Sequence, residues 1–310
     1  MLTKIFCDID DFMKLYTLNE SEKLFIGKSR TKLNFRLSLS EVMTIVVYYH
    51  NAGNRTFKDF YTKFVCKNLQ KSFPNLVSYN RFIELMKGVL LPLVAFLKLK
   101  RLVKSEAITF IDSTKIKVCH NKRIKRNRTF EGIATIGKST MGWFFGFKLH
   151  IAINENGELC GASVSKANVD DRDEKVLDAV LKDVTGKLYA DKGYISKKLF
   201  EALYEKGITL VTSVKKNMKN RLLEMVDKIL LRKRSIIETV NDQLKNMCDI
   251  EHTRHRSHTN AMVNLIAGLI RYTYFEKKPT ITFSTQESEF IQKLSQIDAS
   301  NNLNKAVSLV

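Results

Sequence analysis

The periodicity of the chain changes near Lys104, and that change limits the folds open to it. Up to about residue 103 apolar residues recur at helical spacing. Ser38-Leu39-Ser40-Glu41 has the form of a capping box ahead of Val42, Ile45 and Val46. After the turn Asn51-Ala52-Gly53-Asn54, Phe57, Phe60, Tyr61 and Phe64 predict another helix, and Ser78 predicts a third through Tyr79, Phe82 and Leu85 that Pro92 kinks or breaks. Short helices joined by tight turns fit either a helix-turn-helix DNA reader or a helical packing domain.

Beyond Lys104 the pattern is mixed. Residues 107–112, 143–153 and 159–164 are β-branched or aromatic and predict consecutive antiparallel strands. A helix is expected over 171–184, a strand over 187–190, a helix over 196–206, a strand over 208–214 and a long helix over 220–248. The aromatics Trp143, Phe144 and Phe145 are expected in the core. A further helix is predicted from Thr259 to about Phe275, and a weak one over 287–296. This order is that of a ribonuclease-H-like α/β domain with a mixed five-stranded sheet. The expected division is a helical domain over 1–103, open to a DNA-reading role, an α/β domain over 104–277 and a tail over 278–310.

The net charge is +20, with 52 Lys and Arg against 32 Asp and Glu. So many like charges repel one another, and a polyanionic partner relieves the repulsion; nucleic acid fits because each neutralised phosphate releases counterions. The apolar stretches around 42–49 and 89–97 are about half the ~18 residues of a membrane span. Asp8, Asp10 and Asp11 argue against a signal peptide. Cys7, Cys66, Cys119, Cys160 and Cys248 are odd in number and scattered, which predicts a reducing, cytoplasmic setting.

Three carboxylates stand out together. Asp112 ends the first strand, Asp191 ends the strand 187–190 with Gly193 permitting a sharp reversal, and Glu238 lies on the long helix. Either aspartate alone reads equally as a turn residue. Leu231, Arg234, Glu238 and Lys245 fall within a ~60° arc of the helix, away from the stripe Val226, Leu230, Ile237, Val240 and Leu244, so a solvated mixed-charge face stays open. In the expected strand order the three acids converge into an all-oxygen site suited to two Mg²⁺ or Mn²⁺ ions and to phosphoryl transfer.

Phe110-Ile111-Asp112-Ser113-Thr114, Tyr189-Ala190-Asp191-Lys192-Gly193-Tyr194 and Arg234-x-x-x-Glu238 with Lys245 resemble the three motifs of DDE-type bacterial insertion-sequence transposases, Leu231 standing where a tyrosine is usual. The resemblance implies metal ligation by Asp112, Asp191 and Glu238, hydrolysis at the element ends, attack of the freed 3′-hydroxyl on target DNA, and phosphate contacts by Arg234 and Lys245. It also implies double-stranded DNA as partner, a homodimer and a nucleoid-associated cytoplasmic location. A DNA-binding regulator, an inactive remnant and a nuclease of the same fold are the competing readings.

Lys115, Lys117, Lys122, Arg123, Lys125, Arg126 and Arg128 form an acid-free run expected in a loop after the first strand, where it tracks phosphates. Asp170, Asp171 and Asp173 read as helix-capping residues. His252, His255 and His258 beside Cys248 raise a zinc site, but their spacing fits a structural or DNA-facing role better.

Overall fold

The computed structural model describes residues 1–24, 36–139, 142–213, 223–251 and 255–290, apart from the side chains of 18–24. The first hundred residues are helical. Helix α1 (Leu2–Leu24) packs on α2 (Leu39–Tyr49), whose capping box forms as expected: Glu41 N–H donates to Ser38 Oγ and Ser38 N–H to the Glu41 carboxylate. The aromatic run forms α3 (Phe57–Asp59), a π-helical turn over Phe60–Val65 and α4 (Cys66–Asn68). Phe57 and Tyr61 stack against Phe82 of α5 (Tyr79–Met86). Pro92 sits in the first turn of α6 (Leu90–Phe96), where its missing N–H leaves no bond unmade. The change of helical course falls just before it, in a 3₁₀ turn over Lys87–Val89.

Among the described residues the sheet has six strands, β1 (Ile108–Cys119), β2 (Thr135–Ser139), β3 (Gly142–Asn154), β4 (Leu159–Lys166), β5 (Gly186–Ala190) and β6 (Ile208–Thr212). Their order is β2-β3-β1-β5-β6, with β4 also on β3. The expected five-stranded sheet is corrected by β2, a short strand that borders Gly142–Gly146 of β3 while β4 borders the rest. Its signal is faint because alternation runs for only five residues, two of them the polar Lys138 and Ser139. β1 runs antiparallel to β3 and parallel to β5, and β5 is parallel to β6.

Each face of the sheet is covered. Ile111, Ala152, Leu188, Ala190 and Leu210 pack on α7 (Glu174–Val180) and α8 (Lys197–Glu205). The opposite face, with Phe110, Tyr189, Leu149 and Ile151, packs on α10 (Ser235–Asn246) and α11 (His258–Thr273) through Ile237, Val240, Leu244 and Leu269. The same apolar cluster continues into α1, α2 and α6 through Ile9, Val46 and Leu93, so the N-terminal helices share their core with the sheet.

Three further expectations change. The long helix is two, α9 (Met225–Lys233) and α10, with Arg234 between them; residues 220–222 of the expected span lie outside the described residues. Lys115 and Lys117 lie in β1 and not in a loop, because β1 runs on to Cys119 as an arm paired with β3. Trp143 is 62% exposed while Phe144 and Phe145 are buried. Trp143 lies opposite Lys138 of β2, near the hairpin end of the sheet, with the Lys138 ammonium 5.7 Å from its ring centroid. The weak C-terminal helix predicted over 287–296 extends beyond the described residues.

α9 is tied to β5 by a buried polar junction. Asp227 Oδ1 accepts from Lys187 Nζ at 2.9 Å and from the Tyr189 hydroxyl at 2.8 Å. Asp227→Ala leaves the buried Tyr189 hydroxyl without its acceptor, while the half-exposed Lys187 keeps Glu224 at 2.9 Å, so a loss of about 1–2 kcal/mol is expected in urea unfolding. An unchanged midpoint would show that the junction contributes nothing.

Candidate active site

β1 and β5 are paired in parallel from Ile108–Lys187 to Phe110–Tyr189. The same register carried two residues past its last pair points Asp112 towards Asp191, which directly follows β5. Asp112 is therefore not at the end of β1, as expected from sequence, but at the point where β1 leaves β5 and continues with β3 alone. The crevice opens there. Asp191 ends β5, and its Oδ1 accepts the Lys192 N–H at 2.7 Å at the start of a 3₁₀ turn over Lys192–Tyr194.

The break between α9 and α10 aims their junction at Asp112. Arg234 Nη1 lies 4.0 Å from Asp112 Oδ1 and its Nη2 3.2 Å from Glu238 Oε1, so one guanidinium sits between the two carboxylates. Asn241 Nδ2 donates to Asp112 Oδ2 at 3.1 Å. Asn241 lies three residues after Glu238 and seven after Arg234, on the same helical arc, so its position could have been read from spacing. Leu231 lies partly buried against the core cluster.

Burial raises the Asp112 carboxyl to about 6, against the opposing pull of Arg234 and the Ser113 backbone N–H. Glu238 and Asp171 push it the same way as burial. Asp171 is the carboxylate that sequence reasoning passed over. Asp173 caps α7 and Asp170 pairs with Arg172, as capping residues and turn acids do. Asp171 instead turns inward, accepting from Lys148 Nζ at 3.0 Å, with His150 Nδ1 at 3.9 Å. Nothing in its local sequence separates it from its neighbours. Asp171 and Gly193, from the turn after Asp191, line one open depression of about 390 Å³.

The Tyr194 hydroxyl is buried without a hydrogen-bond partner, and the charges of Asp171, Asp112 and Asp191 add to burial in holding its proton on. It is the common neighbour of three of the acids. The arrangement thus gathers negative charge around one end of the β1–β5 seam, with Arg234 between Asp112 and Glu238 and Lys148 on Asp171 to offset part of it. Among the described residues no three His, Cys, Asp or Glu side chains stand close enough to hold an ion jointly. Arg234 fills the space between Asp112 and Glu238, and Asp191 is turned onto its own backbone. The donor chemistry nonetheless fits a hard divalent cation: oxygen ligands only, and one carboxylate whose charge is poorly compensated.

The family model described as transposase DDE domain matches residues 102–258. The chain belongs to the transposase DDE domain family. Among curated proteins none matches it significantly. The match to the transposase domain begins just before β1 and ends at the first residue of α11, so it contains all three motif acids together with Asp171, Tyr194 and Asn241.

The other residues singled out in the sequence fall in two places. Lys245 lies two helical turns beyond Glu238 and pairs with Glu251 at 3.4 Å; Glu251 also accepts the Lys117 N–H. Lys115 is drawn to the same spot, where burial and the charges of Lys117 and Lys245 lower its pKa. Lys122, Arg123, Lys125, Arg126 and Arg128 lie on or just after a 3₁₀ turn over Asn121–Arg126, fixed to β3 by Asn121 Nδ2 donating to Trp143 O at 2.8 Å. His252 lies outside the described residues, His258 opens α11, and His255 faces the arginines of the 3₁₀ turn across a cavity.

Proposed function

We propose that this transposase-domain chain cuts double-stranded DNA at the ends of a mobile element and joins the freed 3′ ends to target DNA, using two divalent ions. The observation that supports the reading is the parallel β1–β5 pairing up to Phe110–Tyr189, two residues before Asp112 and Asp191, with Arg234 lying between Asp112 and Glu238. Asp112, Asp191 and Glu238 would hold Mg²⁺ or Mn²⁺. Two such ions lower the pKa of an attacking oxygen and stabilise the leaving one during phosphodiester exchange.

The chain's own groups prepare that chemistry. Asn241 holds the Asp112 carboxylate in one orientation, and Arg234 offsets the mutual repulsion of Asp112 and Glu238 before a cation binds. With a divalent ion held by these acids, the Arg234 fork would be free to pair bidentately with a DNA phosphate. Lys115 and Lys245, on β1 and α10 beyond the acids, lie where they meet the backbone of a duplex running along the sheet arm.

No helix among the described residues is long and apolar enough to cross a membrane. The reading includes a homodimer, one protomer for each element end, acting on nucleoid DNA in the cytoplasm.

The test is a plasmid carrying candidate inverted-repeat ends, incubated with the protein and Mg²⁺ or Mn²⁺. Nicks at the ends followed by joined products are expected. Cleavage without joining would leave a nuclease of this fold, and binding without cleavage a DNA-binding regulator or an inactive remnant. A protein that does not bind the duplex ends the reading.

A further inference from the structure

A cavity of about 720 Å³ lies at the far end of β1, where the strand passes into the 3₁₀ turn, and it is lined by Arg123, Arg126, Arg128, Arg256, His120 and His255. No acidic side chain lines it, and the four arginines make no ion pair with any described residue. Cys119 at its wall is seven residues beyond Asp112 along β1, which at ~3.3 Å per residue puts it roughly 20 Å from the acids. It is a separate place from the seam.

The 3₁₀ turn explains how the cavity is built. With three residues per turn, side chains at i and i+3 eclipse. Arg123 and Arg126 therefore share one edge, Lys122 and Lys125 a second, and Ile124 the third. Ile124 packs on the core cluster and anchors the turn, the arginine edge faces the cavity, and neither lysine lines it. A basic run that looks uniform in sequence is sorted by residue type. Arginine carries a planar fork matched to phosphate oxygens, whereas lysine is a strongly hydrated point charge.

We propose that this cavity is a docking site for the phosphodiester backbone of duplex DNA, gripped by the guanidinium groups of Arg123, Arg126, Arg128 and Arg256. It rests on the reading that DNA is the substrate of the seam and adds where the backbone is held. With each strand carrying one phosphate per ~3.4 Å of the helix axis, a duplex running along β1 would put the grip roughly six base pairs from the bond at the seam. Four guanidiniums without acidic partners in one concave wall repel each other, and a polyanion removes that cost.

The lysine edge supplies the control, because it removes the same charge from the same turn. Binding of the full chain to a fluorescein-labelled duplex roughly 30 base pairs long is followed by anisotropy across a salt series in EDTA. Arg123→Gln with Arg126→Gln is expected to weaken binding roughly tenfold or more and to flatten the slope of log affinity against log salt by about two. Lys122→Gln with Lys125→Gln is expected to change the slope by well under one. Arg256→Gln, on a separate segment, is expected to flatten it by about one. Equal losses from the arginine and lysine pairs, or an Arg256→Gln protein indistinguishable from wild type, would overturn the assignment. Because EDTA removes any need for catalysis, a protein that binds but never nicks leaves this result standing. A wild-type chain without affinity for duplex DNA ends both readings.

Discussion

Replacing Asp112, Asp191 or Glu238 by its amide is expected to lower Mg²⁺-dependent nicking by about 10³-fold or more, with duplex affinity in EDTA kept within a few-fold. A bound ion stabilises the transition state by several kcal/mol, and each ~1.4 kcal/mol is a factor of ten in rate. The amides keep shape and hydrogen bonding but cannot bind a hard cation well. Asp112→Asn carries a second expectation of opposite sign. Burial lifts the Asp112 carboxyl from 3.8 to about 6, so its ionised form costs the folded state on the order of 2–3 kcal/mol at neutral pH. For a carboxyl with a raised folded pKa that cost is absent below its ordinary pKa and fully felt above about 6. The metal-free Asp112→Asn protein should therefore melt a few degrees higher than wild type at neutral pH. Wild type should recover the difference when Mg²⁺ or Mn²⁺ is added, and the variant should not. Full nicking by any of the three amides would remove the mechanism, and a lower melting temperature for Asp112→Asn would contradict the account of Asp112 as an under-compensated charge.

The second large effect is on acid stability. His150 is 1% exposed, its Nε2 lies 2.7 Å from the Ser165 hydroxyl, and its Nδ1 has no hydrogen-bond partner. Burial lowers its pKa from 6.5 to about 4, aided by Lys148 and opposed by Asp171 and Asp173. Asp171, 3.9 Å away, fails to hold the imidazolium because Lys148 already neutralises it at 3.0 Å. A depressed histidine is neutral in the fold while the unfolded chain takes up a proton. Its contribution is thus fully present above pH ~6.5 and is lost as pH falls towards ~4, by up to about 3 kcal/mol. His150→Gln, which can still bond Ser165, should flatten the fall of the urea midpoint across that window. Equal pH dependence in wild type and His150→Gln would sink this account. A buried histidine neighbouring Asp171, beside the candidate site, is in this way linked to the protein's tolerance of acid.

The element order was legible from the chain alone because the signals that set it are local. The capping box at Ser38 and Glu41 and the Ser78 cap each involve residues within a turn of one another and appear in the fold as read, and Leu230, Ile237, Val240 and Leu244 are buried although the α9–α10 break divides their stripe. The three motif acids and the basic run were legible for the same reason: they are patterns in short segments. Tertiary structure decided the rest. That β1 runs past Asp112 follows from its pairing with β3 as far as Cys119, while β5 stops at Ala190. That Arg234 stands between two carboxylates and Asn241 reaches Asp112 depends on contacts between residues as much as 129 positions apart. Which of three adjacent aspartates turns inward, and whether a tryptophan in a strand is covered, likewise depend on what the sheet and its helices place opposite them. Local propensity is carried by the backbone of a few residues and survives in the sequence; side-chain orientation at a site is a balance of burial and charge set by distant segments, and only the packed chain contains it.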